Sequence, residues 1–248
     1  MTSGPPGRPA GAESSAPSPG SGAMFDRIAT RYDLLNRLTS LGLDQSWRRA
    51  AVEALTPPPR ACLLDLATGT ADLALAIAAR YPQARVWGLD PGLRMLSLGR
   101  HKLRHDERAD RIRLVGGVAE HLPFAGGSFD GVTMAFGIRN VPDRERALEE
   151  IARVTRPGGR LAILELTTPA GRGPLARLAR WHIRHVVPGL GALLSGWREY
   201  RYLERSITAF PTPADFAETI GTRGWRDVRT RPLGFGACTL FVADRGRP

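Results

Sequence analysis

The residues able to do chemistry fall in a few short stretches of the chain. The first runs from Cys62 to Ala79, an apolar segment that passes through Ala67-Thr-Gly-Thr-Ala71 and continues alanine-rich. Its order predicts a strand, a tight loop and a helix. Such a unit puts backbone N–H groups and a helix N-terminus at one mouth of a sheet, where a polar ligand can sit. The second is Asp90, which closes a further apolar run, Arg85–Asp90. An acid at the tip of a second strand suits hydrogen bonding to ribose hydroxyls. The third is Gly137-Ile-Arg-Asn140, just beyond a predicted strand over Phe129–Phe136. Ligands of open α/β sheets bind at the carboxyl ends of strands, so Arg139 and Asn140 are site candidates. Together these residues predict an enzyme that uses a nucleoside cofactor.

Other chemistries find less support. A dinucleotide loop needs G-x-G-x-x-G, and Gly69-Thr-Ala71-Asp-Leu-Ala74 supplies only the first glycine. Without a pyrophosphate to wrap, small residues suffice for close approach to a carboxylate or a sulfonium, and the methionine half of S-adenosylmethionine fits that demand. No P-loop lysine, G-x-S-x-G elbow or Cys/His dyad occurs. His101 with His105, and His182 with His185, read as polar helix faces, because no Cys, Asp or Glu set at ligand spacing accompanies them.

These groups must be positioned by the surrounding elements. Residues 1–22 are low-complexity and read as a disordered tail. Over 23–56, Phe25, Ile28, Tyr32, Leu35 and Leu38 form one helical stripe, and Asp33 and Asn36 beside it can face a pocket. Asp44 and Ser46 are candidate caps for a second helix carrying Trp47; the pair forms a helical lid. After Asp90, Pro91 suits the first turn of a helix over Leu93–Arg104. Strands are predicted over Arg111–Val115 and Arg160–Leu166, the latter entered by the turn Arg156-Pro-Gly-Gly159, with a helix over Asp143–Val154 between them. Alternation of this length implies a mostly parallel sheet. Residues 169–211 interrupt it with a basic, amphipathic, partly helical insertion. A short helix over Pro213–Gly221 precedes a hairpin, Asp227–Pro232 and Ala237–Ala243, with Gly234 and Gly236 in its turn. The whole of 23–248 reads as one α/β domain, and the terminal hairpin marks the methyltransferase variant of the doubly wound sheet.

Length and composition agree. A chain of 248 residues with 42% hydrophobic residues can bury a sizeable core. The net charge of +11 is almost all arginine, Lys102 being the only lysine. Such a surface suits an anionic membrane face, an acidic ligand or RNA, or records arginine spread over solvated faces. Cys62 and Cys238 sit in apolar strand-like runs and read as buried free thiols, so nothing points to an oxidising compartment. Residues 1–23 lack the apolar core of a secretory signal, and the uncharged run Val186–Trp197 is too short to span a membrane.

Several separated segments resemble the ubiquinone/menaquinone C-methyltransferases, members of the class I S-adenosylmethionine-dependent superfamily. They include Met24-Phe-Asp-Arg-Ile-Ala-Thr-Arg-Tyr-Asp33, Leu64-Asp-Leu-Ala-Thr-Gly-Thr-Ala-Asp72, Gly88-Leu-Asp90, Ala119-Glu120 with Leu122-Pro-Phe124, Phe136-Gly-Ile-Arg-Asn-Val141, Arg156-Pro-Gly-Gly159 and Tyr200-Arg-Tyr-Leu203. The glycine loop and Pro-Gly-Gly turn mark only the superfamily, whereas the N-terminal signature and F-G-I-R-N-V are family-specific. The resemblance implies a Rossmann-like, mostly parallel seven-stranded sheet with a C-terminal antiparallel hairpin. It implies C-methylation of a polyprenylated quinol ring, as from demethylmenaquinol to menaquinol, with S-adenosylmethionine as donor.

By position, Gly69, Thr70 and Ala71 would line the methionine end and Asp90 would bind the ribose. Val118, Ala119 and Ala135 would lie along the adenine, and Tyr32, Arg139 and Asn140 would face the quinol. Arg139 would hold negative charge on the ring oxygen, Asn140 would orient it and Tyr32 would relay a proton. Ala71 stands where Gly is frequent, Glu204 where Pro is, and Val118 where Asp or Asn often contacts the adenine amino group. Loss of that last bond costs about 0.5–1.5 kcal/mol of cofactor binding. With a bilayer substrate, the arginine-rich insertion predicts a cytoplasmic protein peripheral on an anionic inner membrane face. The resemblance also admits a homodimer. Rival readings are a methyltransferase of unprenylated phenols, an RNA methyltransferase or RNA-binding protein, and a cofactor-free subunit of an enzyme complex. Without an aromatic-interleaved basic strand, no nucleic-acid partner is expected.

Overall fold

A computed structural model describes residues 37, 40, 42–168, 173, 177 and 204–246. The tail over 1–22, the first lid helix with Tyr32, Asp33 and Asn36, and nearly all of the insertion before 204 lie outside the described residues.

The described chain runs α1 (Leu43–Ala54), β1 (Cys62–Leu66), α2 (Asp72–Arg80), β2 (Arg85–Asp90), α3 (Leu93–Leu103), β3 (Ile112–Gly116) and β4 (Phe129–Ala135). Then follow α4 (Arg144–Val154), β5 (Thr155–Leu166), α5 (Pro213–Thr222), β6 (Trp225–Leu233) and β7 (Cys238–Arg245). The strands form one seven-stranded sheet in the order β3-β2-β1-β4-β5-β7-β6. Neighbours from β3 to β5 are parallel, and β7 runs antiparallel to both β5 and β6. The strand order therefore reverses between β1 and β4, which opens a crevice at their carboxyl ends.

Parallel strands covered on both faces need near-continuous apolar runs, and Leu63–Leu66 and Leu161–Leu164 are fully buried. On one face Leu64, Phe129, Leu148, Ile151, Phe216 and Phe241 pack together. On the other, Trp47, Val52, Leu63, Leu73, Ile77 and Leu164 do so. Each such side chain contributes about 1.5–3 kcal/mol by leaving water. Trp47 also fixes the β6–β7 turn: a Cβ on Gly234, whose φ is +53°, would lie 2.4 Å from its ring. α1 thereby touches the hairpin that ends the chain.

Local chemistry departs from the sequence expectations at three points. Asp44 and Ser46 do not cap α1; Gly42 does, at φ 76°, while Asp44 accepts the Ser40 hydroxyl at 3.1 Å. Pro91 lies outside α3, whose cap is Gly92, because the Asp90 side chain takes the Gly92 N–H at 2.7 Å and delays the helix. The Arg156–Gly159 turn is part of β5: Phe129 pairs with Thr155 and Gly131 with Arg160, so the intervening residues bulge from the strand.

Both cysteines are free thiols, Cys238 buried and Cys62 half-buried. Among the described residues no helix is long and apolar enough to cross a membrane.

Candidate active site

At the reversal of strand order lies a cavity of about 510 Å³, lined mostly by apolar side chains from the ends of β1, β2 and β4. Of the residues singled out from sequence, Gly69, Asp90, Val118, Ala119, Ala135 and Asn140 line it. Met95, Met134, Phe136 and Pro142 join them, with Glu120, His121, Asp143 and Arg146 at polar positions. A second opening, of about 650 Å³, lies at the amino ends of the strands among Arg60, Cys62, Gln83, Arg85, Ser128 and Arg156. Apart from Cys62 its lining side chains are charged or polar, so the more apolar crevice at the carboxyl ends is the better candidate site.

The loop between β1 and α2 is built for close approach. Ala67, Gly69 and Ala71 all hold positive φ, at 49°, 56° and 71°. Left-handed backbone costs a non-glycine residue about 1–2 kcal/mol, and such strain collects at functional sites. Asp90 holds the loop in place: one carboxylate oxygen accepts the Gly69 N–H at 2.9 Å, the other that of Gly92 at 2.7 Å. Asp90 also lines the cavity, and a carboxyl group there is an acceptor suited to ligand hydroxyls.

Thr70 and Ala71 do not line the cavity. Both are buried and support the loop from behind; Thr70 Oγ1 accepts from Lys102 Nζ at 2.9 Å. That lysine also meets Asp72 Oδ1 at 2.5 Å, tying α3 to the start of α2.

Asp65 lies beneath the loop inside the apolar run of β1. Its oxygens accept from Thr68 Oγ1 at 2.6 Å and Thr133 Oγ1 at 2.9 Å. Burial dominates over both bonds and over the Arg48 charge, and its pKa is pushed up to about 6.

On the opposite wall, Phe136 turns the chain at φ 58°, and Ile138–Asn140 form a single 3₁₀ turn. Gly137 packs so closely on the β1–α2 loop that an added Cβ would lie 2.4 Å from Ala67 Cβ. Asn140 reaches the cavity, whereas Arg139 is turned inward, its side chain only 5% exposed. Arg139 Nη1 donates to Glu165 Oε1 at 2.6 Å and to the Phe136 carbonyl at 2.7 Å. Glu165 also accepts the backbone N–H of Arg139 at 3.1 Å and that of Leu166 at 2.8 Å.

Glu165 and Asp65 were not singled out from sequence, though each carried a signal. Both are carboxylates inside otherwise apolar strand runs, and a fully buried charge requires dedicated donors.

Comparison with known proteins comes to the same place. The sequence profile of the ubiE/COQ5 methyltransferase family matches residues 17–245. The ubiquinone/menaquinone biosynthesis C-methyltransferase UbiE of Syntrophotalea carbinolica is 47% identical over 225 residues, covering 91% of this chain and 94% of its own. The demethylmenaquinone methyltransferase of Thermus thermophilus is 46% identical over 224 residues, covering 90% and 100%. Among solved structures, an S-adenosylmethionine-dependent methyltransferase from Aquifex aeolicus superposes with a TM-score of 0.60 at 15% identity, over 89% of this chain and 98% of that one. The [4+2]-cyclase SpnF superposes at 0.64 with 16% identity, over 92% and 95%. These two likenesses establish the Rossmann-like methyltransferase fold, and with it the predicted seven-stranded sheet and terminal hairpin.

Proposed function

The chain belongs to the ubiE/COQ5 methyltransferase family, and from that premise we propose that it C-methylates a polyprenylated quinol, converting demethylmenaquinol to menaquinol. The family membership carries the quinol half of this reading, and the loop-anchored Asp90 carboxylate beside an apolar cavity at the sheet's reversal point carries the cofactor half.

The residues present fit S-adenosylmethionine. Asp90 would take the ribose hydroxyls, Gly69 would let the methionine end approach the loop backbone, and Val118, Ala119 and Ala135 would border the adenine. Thr70 and Ala71 would act indirectly, by shaping that loop. A Cβ on Gly69 would sit 3.2 Å from Met95 Cε on backbone held at φ +56°, a conformation that favours glycine. Bound there, the cofactor supplies an activated sulfonium methyl group.

The protein's remaining task is to orient the ring and to favour its deprotonated form. A quinol carbon is weakly nucleophilic until a neighbouring hydroxyl loses its proton, so alignment and phenolate stabilisation carry the rate. Asn140 would hold the ring oxygen from the cavity wall, and Arg139, paired behind it with Glu165, would fix the turn that carries Asn140. Tyr32, outside the described residues, would relay the proton. The arginine-rich insertion would rest on an anionic bilayer face at the cytoplasmic side; binding to vesicles that ignores both anionic lipid and salt would contradict that placement.

The direct test is an assay of the purified protein with methyl-labelled S-adenosylmethionine and demethylmenaquinols of long and short tail. Label on a ring carbon, with the long-tailed substrate preferred, is expected. Label on oxygen, or equal use of unprenylated phenols, would overturn the reading.

A further inference from the structure

The wall that carries Asn140 is too short to hold its own shape. Its helical part is the three residues Ile138–Asn140, entered through a left-handed Phe136, and a lone 3₁₀ turn is weakly held. What fixes it comes from the next strand. Glu165, with no exposure to solvent, receives Arg139 twice, through the backbone N–H at 3.1 Å and Nη1 at 2.6 Å. The Leu166 N–H at 2.8 Å holds the same carboxylate from its own strand. The Arg139 guanidinium in turn clasps the Phe136 carbonyl, closing the turn on itself. From outside, Arg144 donates to the carbonyls of Ile138 and Arg139, at 3.3 and 3.0 Å.

A buried ion pair is a costly way to stabilise a fold, since a well-packed apolar pair often does as well or better. Its position argues for another use. It lies at the carboxyl ends of β4 and β5, directly behind the residue that reaches the cavity.

We propose that Glu165 is a positioning residue for methyl transfer: it sets the Arg139 guanidinium and, through it, the turn that presents Asn140 to the substrate. This role rests on the methyl-transfer reading above. Glu165 touches neither substrate nor cofactor, and it acts through Arg139.

Glu165→Gln keeps the size of the side chain but replaces an acceptor by an N–H group that opposes the Arg139 donors. The test compares wild type, E165Q, E165D, R139A and the double variant E165Q/R139A, each checked for folding by circular dichroism. The readouts are kcat, KM for the quinol and the calorimetric Kd for S-adenosylmethionine. E165Q should lose about tenfold or more in kcat while KM and Kd stay within about threefold, because an aligning interaction is lost and the cofactor contacts remain. The double variant should be no more than about threefold slower than R139A alone, as expected of residues that act as one unit. If E165Q does not fold, E165D carries the same comparison, its charge kept but drawn back by one methylene, with a kcat between those of wild type and R139A. Wild-type kcat in the folded variant, or losses that multiply in the double variant, would overturn the role. A wild-type protein that transfers no methyl group would sink the underlying reading instead, so the two failures are distinguishable.

Discussion

Gly137→Ala tests how tightly the two walls of the cavity meet. The added Cβ would stand 2.4 Å from Ala67 Cβ and 3.1 Å from Met134 Cε. Ordinary carbon contacts lie near 3.5–4.0 Å, so one wall must retreat by about 1 Å. Gly137 has φ −110°, a conformation open to alanine, so the effect is steric alone. Overpacking of this kind costs about 1–3 kcal/mol. For a domain of this size each kcal/mol lowers the melting temperature by about 2–4 °C. The same retreat pulls the Phe136–Asn140 turn off the β1–α2 loop and should weaken cofactor binding. Ala67 holds φ 49°, so Ala67→Gly both removes the obstructing methyl and relieves left-handed strain of about 1 kcal/mol. The double variant A67G/G137A should therefore melt within about 2 °C of wild type. Thermal denaturation followed by circular dichroism, with calorimetric titration of S-adenosylmethionine, reads both effects. A wild-type melting temperature in G137A, or a double variant as unstable as the single, would refute the close approach.

Asp90→Asn leaves one acceptor oxygen where Gly69 and Gly92 each present an N–H, so one of these bonds is lost along with the acidic partner for the ribose. S-adenosylmethionine should bind about tenfold or more weaker, roughly 1.4 kcal/mol, and an unchanged calorimetric Kd would remove Asp90 from the cofactor site. Asp65 predicts a pH dependence. Its pKa rises from 3.8 to about 6 on folding, so between these values the folded state holds more proton than the unfolded one, and stability falls as pH rises. The loss amounts to about 3 kcal/mol and is complete a little above pH 6. In Asp65→Asn the amide oxygen can accept from Thr68 and the amide N–H can donate to Thr133, whose hydroxyl turns to the Leu64 carbonyl at 3.4 Å. The stability advantage of D65N over wild type should therefore grow from about pH 4.5 to about pH 7.5; an advantage constant over that range would show that Asp65 keeps an ordinary pKa.

Much of this architecture was legible in the chain. The strands stood out because a sheet covered on both faces needs unbroken apolar runs, and Asp90 because it ends one of them. The candidate cavity wall at Gly137–Asn140 followed from its place after β4. What the sequence withheld were partnerships between distant residues. Asp65 meets Thr133, and Arg139 meets Glu165, only once neighbouring parallel strands align. Arg139 was expected at the quinol; its side chain proves to be folded back onto a carboxylate, and Asn140 alone of the two lines the cavity. Helix starts misled for a local reason. Gly42 and Gly92 became the caps of α1 and α3, the latter because the Asp90 carboxylate competes for the first N–H.

The most direct test of the central claim is mass spectrometry of the lipid quinones from cells in which this gene is deleted. Accumulation of the desmethyl, fully prenylated quinone, with the methylated form restored by a plasmid copy, is the predicted result. A normal methylated quinone pool in the deleted cells, from an organism with no second enzyme of this family, would contradict it.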